Sequence, residues 1–314
     1  MLRFLKEWTL PVAIALGTIL YLLFAYIPLL EPAGEVMGGV MDWLFPMSVF
    51  FTLFVTFTKL DFHKMRPANW HVHLIAAQLL LTALLVALIL LLDLQGAARI
   101  IAEAALVCVI APCASASSVV TGKLGGDINQ MATFTLISSL LCAVTIPTAF
   151  PLLEKAAHVS FATASALILQ RIALVMLLPL ALGWAVRHLW RRLYQFIVRH
   201  PNLGFYTWGF SLAITTGVTV RNICHSGLSL PLLLLIALVS FLACLVQFQL
   251  GRSIGRVVGE RVCTRQGMFQ KNTAMTILMA TLYLSGAASI GAGCYVIWQN
   301  IINSYELWHH QHRG

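Results

Sequence analysis

Ala111-Pro112-Cys113-Ala114-Ser115-Ala116-Ser117-Ser118 lies near the middle of an apolar segment that begins near Ile100 and runs for roughly twenty residues, the length of a membrane crossing. Proline removes a helical hydrogen bond and its ring collides with the preceding turn, so a helix through this segment breaks here. In a bilayer such a break leaves N–H and C=O groups that lipid cannot satisfy, and they must be buried in protein or line a wet cavity. Ser115, Ser117 and Ser118 suit that lining. Alone, the stretch reads equally well as a proline kink whose serines bond their own helix. A second stretch, Gln266-Gly267-Met268-Phe269-Gln270-Lys271-Asn272-Thr273, opens another apolar segment with amides, a hydroxyl and one ammonium. Two interrupted segments at corresponding places in two halves of a chain point to a transporter's substrate site.

The composition agrees. Of 314 residues, 60% are hydrophobic and 10% charged, where a soluble globular chain carries about 25% charged residues. With a mean hydropathy of +0.87, this is an all-α polytopic membrane protein. The net charge of +9 does not imply nucleic acid, because the basic residues are strung along the connections between apolar runs and not gathered in a patch. Seven cysteines are scattered without CxxC spacing and read as small packing residues. His71 and His73 have the form of a metal pair but lack a third ligand nearby, and read as interfacial. No phosphate-binding loop, HExxH or GxSxG motif occurs, so no enzyme chemistry, cofactor or metal centre is expected.

The apolar runs predict ten membrane helices, near residues 9–30, 38–58, 71–92, 98–121, 127–152, 162–186, 203–220, 227–250, 266–284 and 287–308. The first is too long for a signal-peptide core and is expected to remain. With the N-terminus inside, Arg3, Lys6, Lys59, Lys64, Arg66, Lys123, Arg187, Arg191, Arg192, Arg199, Arg252, Arg256, Arg261, Arg265 and Arg313 all fall on the inner side, against Arg99, Lys155 and Arg221 outside. That asymmetry predicts cytoplasmic termini, in a bacterial inner membrane. Five spans per half place the second half upside down. This is a pair of inverted repeats, about residues 8–153 and 160–308, each with a broken fourth member. Gly125-Gly126 reads as a tight turn, and the connection holding Arg191-Arg192 as a hinge or linker between halves.

The residues Pro112-Cys113-Ala114-Ser115-Ala116-Ser117-Ser118-Val119-Val120-Thr121 resemble the Pro-Gly-Gly-Thr-Ala-Ser-Asn-Val-Met-Thr crossover motif of the bile acid:sodium symporter family. Trp298-Gln299-Asn300-Ile301-Ile302-Asn303-Ser304 resembles that family's Trp-His-Asn-Ile-Ser-Gly-Ser. The resemblance implies a panel of helices one, two, six and seven, and a core of helices three to five and eight to ten. Discontinuous helices four and nine would cross in the core. It further implies a first sodium site at Ser117, Ser118 and Thr135, with Met131 where a hydroxyl is wanted, and a second at Gln78 and Gln270. The glutamate shared by both sites falls on Gln266 and the neighbouring asparagine on Lys271. A shift of one residue places Asn272 on that asparagine, and neither register restores a carboxylate.

A buried hard cation needs several oxygen ligands and is held far better beside a negative charge. The implied site lacks its carboxylate and one hydroxyl and has an ammonium within reach. The expectation is that Lys271 takes the place of sodium, held by Gln78, Gln266, Ser118 and backbone carbonyls, so that sodium coupling is weakened or lost. An ionisable group inside the membrane is costly and seeks a partner. Glu103, Asp42 and Glu306 lie toward helix ends, which leaves an anionic substrate, or loss of the Lys271 proton in the empty state. The alternative is that Lys271 snorkels to the cytoplasmic face. The leading function is secondary transport of a small or amphipathic organic anion by alternating access, with Cys113, Ser115, Lys271, Asn272, Thr273 and Asn300 as the substrate-binding residues. The partners are then the lipid bilayer and that anion, with no nucleic acid. A metalloid efflux permease using Cys113, and a non-transporting sensor on the same fold, are the other readings.

Overall fold

The computed structural model describes residues 9–27, 30–60, 64–154, 160–200 and 202–313. Arg3, Lys6 and Lys155, and the side chain of Arg313, lie outside the described residues. In chain order the helices are α1 (Thr9–Tyr26), α2 (Glu31–Lys59), α3 (Asn69–Leu91), α4 (Gly96–Ile110), α5 (Ser117–Lys123), α6 (Ile128–Leu153) and α7 (Phe161–Leu189), then α8 (Arg191–Arg199), α9 (Leu203–His225), α10 (Leu230–Val258), α11 (Arg261–Phe269), α12 (Thr273–Tyr283) and α13 (Gly286–Arg313). No strand occurs among the described residues. Among the described residues five helices are long and apolar enough to cross a membrane: Met37–Lys59, Asn69–Leu91, Ile128–Leu153, Phe161–Leu189 and Leu230–Val258.

The helix ends follow local chemistry. Asp127 caps α6 by accepting from the N–H groups of Asn129 and Gln130, and Ser160 caps α7 through the Thr163 N–H. Gly125, at φ +80°, makes the turn between α5 and α6 that a side chain would strain. A π-helical turn over Ala173–Leu177 interrupts α7 just before Pro179, which has no N–H to return to the turn below.

The chain forms two compact units. One comprises residues 1–59 and 175–227 and contains α1, α2, the later part of α7, α8 and α9. Within it α9 packs on α1 and α2, and α2 packs on α7. Hydroxyls stitch α2 to α9: Ser48 Oγ lies 3.2 Å from Ser211 Oγ, and Thr52 Oγ1 donates to the Thr207 carbonyl at 3.2 Å. The connection after α7, which holds Arg191-Arg192, forms the short helix α8 inside this unit.

The other unit, residues 60–174 and 228–314, contains α3 to α6, the start of α7 and α10 to α13. Here the broken span expected over 266–284 is two helices, α11 and α12. The start of α11 lies in the stretch expected as a basic connection, because Arg261, Thr264 and Arg265 mask the apolar face of Cys263, Met268 and Phe269. That half-helix is seated by glycines of α10. A Cβ on Gly251 would stand 2.7 Å from the Thr264 carbonyl oxygen and 2.9 Å from Arg265 Cα. His71 is buried in the protein: its Nδ1 accepts from the Ala68 N–H at 3.1 Å, and its Nε2 lies 3.1 Å from the Gln130 carbonyl. Gly251→Val is expected to lower stability by about 1–3 kcal/mol, since backbone stands in its way. Thermal unfolding of the detergent-solubilised protein measures this, and an unchanged midpoint would show that α11 is not seated on Gly251.

Candidate functional site

Pro112 does what the chemistry of its ring requires. It disfavours the helical conformation at the residue before it, and α4 stops at Ile110 with Ala111 extended, at φ −55° and ψ 140°. In the second half Gln270, at φ −79° and ψ 98°, ends α11, and Asn272 opens α12 by accepting from the Met275 N–H at 3.5 Å. Each break leaves backbone groups without intrahelical partners, and the two breaks supply one another. Cys113 and Lys271 form an antiparallel bridge, the Ala114 N–H donates to the Gln270 carbonyl at 2.9 Å, and the Asn272 N–H donates to the Pro112 carbonyl at 2.8 Å.

Side chains complete this pairing. Gln299 of α13 embraces the Lys271 peptide, accepting from its N–H at 2.9 Å and donating to its carbonyl at 3.2 Å. Ser138 of α6 accepts from the Cys113 N–H at 3.0 Å. Tyr295 donates to the carbonyl of Phe269, the last residue of α11, at 2.7 Å, and receives a bond from Gln247 at 3.0 Å. Ser138 and Tyr295 carry no signal in the sequence, Gln299 lies in the stretch that carries the resemblance without being given a role there, and Gln247 is visible as an amide in an apolar run.

Lys271 is 1% exposed and does not snorkel. Its Nζ donates to Gln78 Oε1 at 3.3 Å, while Gln78 Nε2 donates to the carbonyls of Ile110 and Ala111, each at 3.1 Å. Those carbonyls belong to the C-terminal end of α4, and Lys271 itself follows the C-terminal end of α11. Helix C-termini carry partial negative charge and favour a cation. Gln78 thus relays the field of α4 to the amine.

Of the other groups expected around the amine, neither is bonded to it. Gln266 Nε2 donates to Glu306 at 3.0 Å, and its Oε1 has no hydrogen-bond partner among the described residues. Ser118 Oγ is likewise buried without one. A carboxylate therefore does reach Gln266, brought from α13, and it is also paired with Arg265 at 3.0 Å. Ser117 and Thr135 do come together. Ser117 Oγ donates to the Ala114 carbonyl at 2.6 Å and lies 3.4 Å from Thr135 Oγ1 and 3.0 Å from Cys113 Sγ, and Thr135 donates to the Met131 carbonyl at 3.0 Å.

The Gln270 amide is buried with neither atom bonded among the described residues, and so is Asn300 Oδ1, while Asn300 Nδ2 donates to the Val296 carbonyl at 2.7 Å. Ser115 and Thr273 are buried at the N-terminal ends of α5 and α12. Buried polar atoms usually find partners, so the unbonded amides and hydroxyl mark where a polar ligand or water would be welcomed. The arrangement holds the Lys271 amine with no carboxylate bonded to it among the described residues, next to spare hydrogen-bonding groups. It offers polar and ionic binding, and among the described residues no cluster of three metal-ligating side chains occurs.

The profile of the sodium bile acid symporter family matches residues 43–247, which includes the break between α4 and α5 and ends before α11. No curated protein matches the chain. Members of the matched family are membrane transporters and not enzymes. With the match spanning more than half of its length and taking in the interrupted helix at Pro112, the chain belongs to the sodium bile acid symporter family.

Proposed function

We propose that this chain is a secondary transporter of a small or amphipathic organic anion that works by alternating access, with the Lys271 ammonium standing where the resemblance implies sodium. The observation that carries the reading is the Lys271–Gln78 bond at the paired breaks. A tethered cation that binds the amide of an implied sodium site and faces two helix C-termini already supplies what a free sodium ion would supply. A second monovalent cation in the same cavity would be repelled, by about 4 kcal/mol for unit charges 4 Å apart at an effective dielectric of 20. Sodium coupling is accordingly weak or absent in this reading.

The anion would lie beside the crossing. Cys113, Ser115, Asn272, Thr273 and Asn300 would contact it, and Lys271 would supply the attracting charge. The unbonded amide atoms of Gln270 and Asn300 support a hydrogen-bonding ligand there. The Cys113 thiol is engaged with Ser117 and Thr135, which favours the organic-anion reading over metalloid efflux. Within the same proposal the chain crosses the membrane ten times as two inverted five-helix repeats, with α4–α5 and α11–α12 as the discontinuous members. Panel and core divide as the resemblance implies, and both termini are cytoplasmic in a bacterial inner membrane.

Uptake of a panel of labelled organic acids into proteoliposomes, under a sodium gradient, a proton gradient or neither, tests the function. Transport of at least one acid is expected to ignore sodium, and to fall by about tenfold or more in Lys271→Ala, as for loss of a charged hydrogen bond worth about 1.5–3 kcal/mol. Sodium-driven uptake that survives the substitution would sink the ammonium-for-sodium reading, and binding without flux would favour a sensor.

The bond itself is tested by stability. Gln78→Leu is expected to cost about 1–3 kcal/mol, because it strips a buried charge and two carbonyls of their partner. Adding Lys271→Met should recover part of that loss, since the unpaired charge goes with it. Equal cost in both backgrounds would mean that the two side chains are not coupled.

A further inference from the structure

The short helix α8 is a feature that the transport reading does not use. It begins where α7 ends, at Trp190, and closes back on the end of α2, where Lys59 Nζ donates to the His200 carbonyl at 3.1 Å. Gly183 of α7 packs against the end of α2, where a Cβ on it would stand 2.9 Å from the Thr58 N, and α7 runs on from there by about 9 Å to α8. Both are helices of membrane-crossing length and composition. A helix that joins two such ends lies at the boundary between apolar and polar surroundings.

Its faces are divided accordingly. Leu193, Tyr194 and Ile197 turn into the unit, with Ile197 only 2% exposed, and the Arg187 guanidinium sits 5.5 Å from the centre of the Tyr194 ring, tying α7 to α8. On the opposite side Arg191, Gln195 and Arg199 recur at i, i+4 and i+8 with Arg192 one step round, and all four are exposed. Apolar groups flank that stripe: Leu189 is 82% exposed, Trp190 60% and Phe196 53%. The sequence has no Asp or Glu between Glu154 and Glu260, so no acidic residue of this stretch balances the arginines. A merely solvated basic connection has no reason to align its arginines opposite a buried face or to expose tryptophan, leucine and phenylalanine beside them.

We propose that α8, with the adjoining ends of α2 and α7, is a binding surface for anionic phospholipids. The guanidinium groups of Arg191, Arg192 and Arg199 take the headgroup phosphate, and Leu189, Trp190 and Phe196 meet the start of the acyl chains. An amphipathic helix with basic residues on its polar face and aromatic or leucine side chains beside them binds an anionic lipid surface through this combination of charge and apolar burial. The site rests on the membrane setting and not on the identity of any transported substrate.

The test uses the full chain in detergent, titrated with phosphatidylglycerol or phosphatidylcholine, with bound lipids counted by native mass spectrometry. The wild type is expected to retain phosphatidylglycerol in preference to phosphatidylcholine, with retention that weakens as salt is raised. The triple variant Arg191→Gln/Arg192→Gln/Arg199→Gln should bind phosphatidylglycerol about a hundredfold more weakly. A charge-matched control, Arg66→Gln/Arg256→Gln/Arg261→Gln, should keep wild-type affinity. Equal retention of the two lipids, undiminished phosphatidylglycerol binding by the α8 variant, or an equal loss in the control overturns the proposal. If the triple variant loses helical circular dichroism, Arg199→Gln alone serves the same comparison, with about a fivefold loss expected.

Discussion

The structure of the larger unit depends on one exchange of backbone hydrogen bonds. Where α4 and α11 stop, peptide groups lose their intrahelical partners in a region that lipid cannot solvate, and each unpaired group there costs several kcal/mol. The two breaks answer each other through the Ala114 to Gln270 and Asn272 to Pro112 bonds. Gln299, Ser138, Tyr295 and Gln78 then take up peptide groups that this exchange leaves over. Neither interruption is tolerable without the other, and so the two halves of the sequence are bound to a common point.

That point is also where charge can be held. Two helix C-termini converge on it, and their partial negative charge gives a cation a place without a carboxylate alongside. Gln78 acts as the adaptor, its two amide atoms facing opposite ways, one toward the carbonyls of α4 and the other toward Lys271. Glu306 lies a little apart, satisfied by Arg265 and Gln266, so that the carboxylate and the buried amine each have their own partners. A family built around sodium and a chain carrying a lysine at the crossing are compatible in these terms, because the helix ends attract positive charge whether it is free or tethered.

Much of this was legible beforehand. Pro112 announced the first break because its ring forbids a helix at Ala111, and Gly125-Gly126 announced the turn because only glycine adopts φ +80° without strain. Lys271 stood out as an ammonium in an apolar run. What escaped notice follows from the same physics. α11 is short and its arginines conceal its buried face, so its first turn reads as part of a connection. Gln299 and Ser138 look unremarkable, because an amide or hydroxyl in a helix declares nothing about which distant peptide it serves. Glu306 read as an end-of-helix carboxylate because the reach from α13 to Gln266 is not a matter of spacing along the chain.

By itself the sequence determined the membrane class, the helical content, the places where helices must fail and the presence of a lysine amine beside one of them. Hydrophobicity, proline geometry and the cost of burying charge act locally, and each residue carries them wherever it goes. The tertiary structure alone decided which carbonyls meet which donors: that Lys271 turns inward to Gln78, that Gln266 answers to Glu306, and that the arginines of α8 line up opposite a buried face. Hydrogen bonds and helix fields extend over a few ångströms, so their partners are set by packing between segments far apart in the chain, and packing is what the order of residues leaves unspoken.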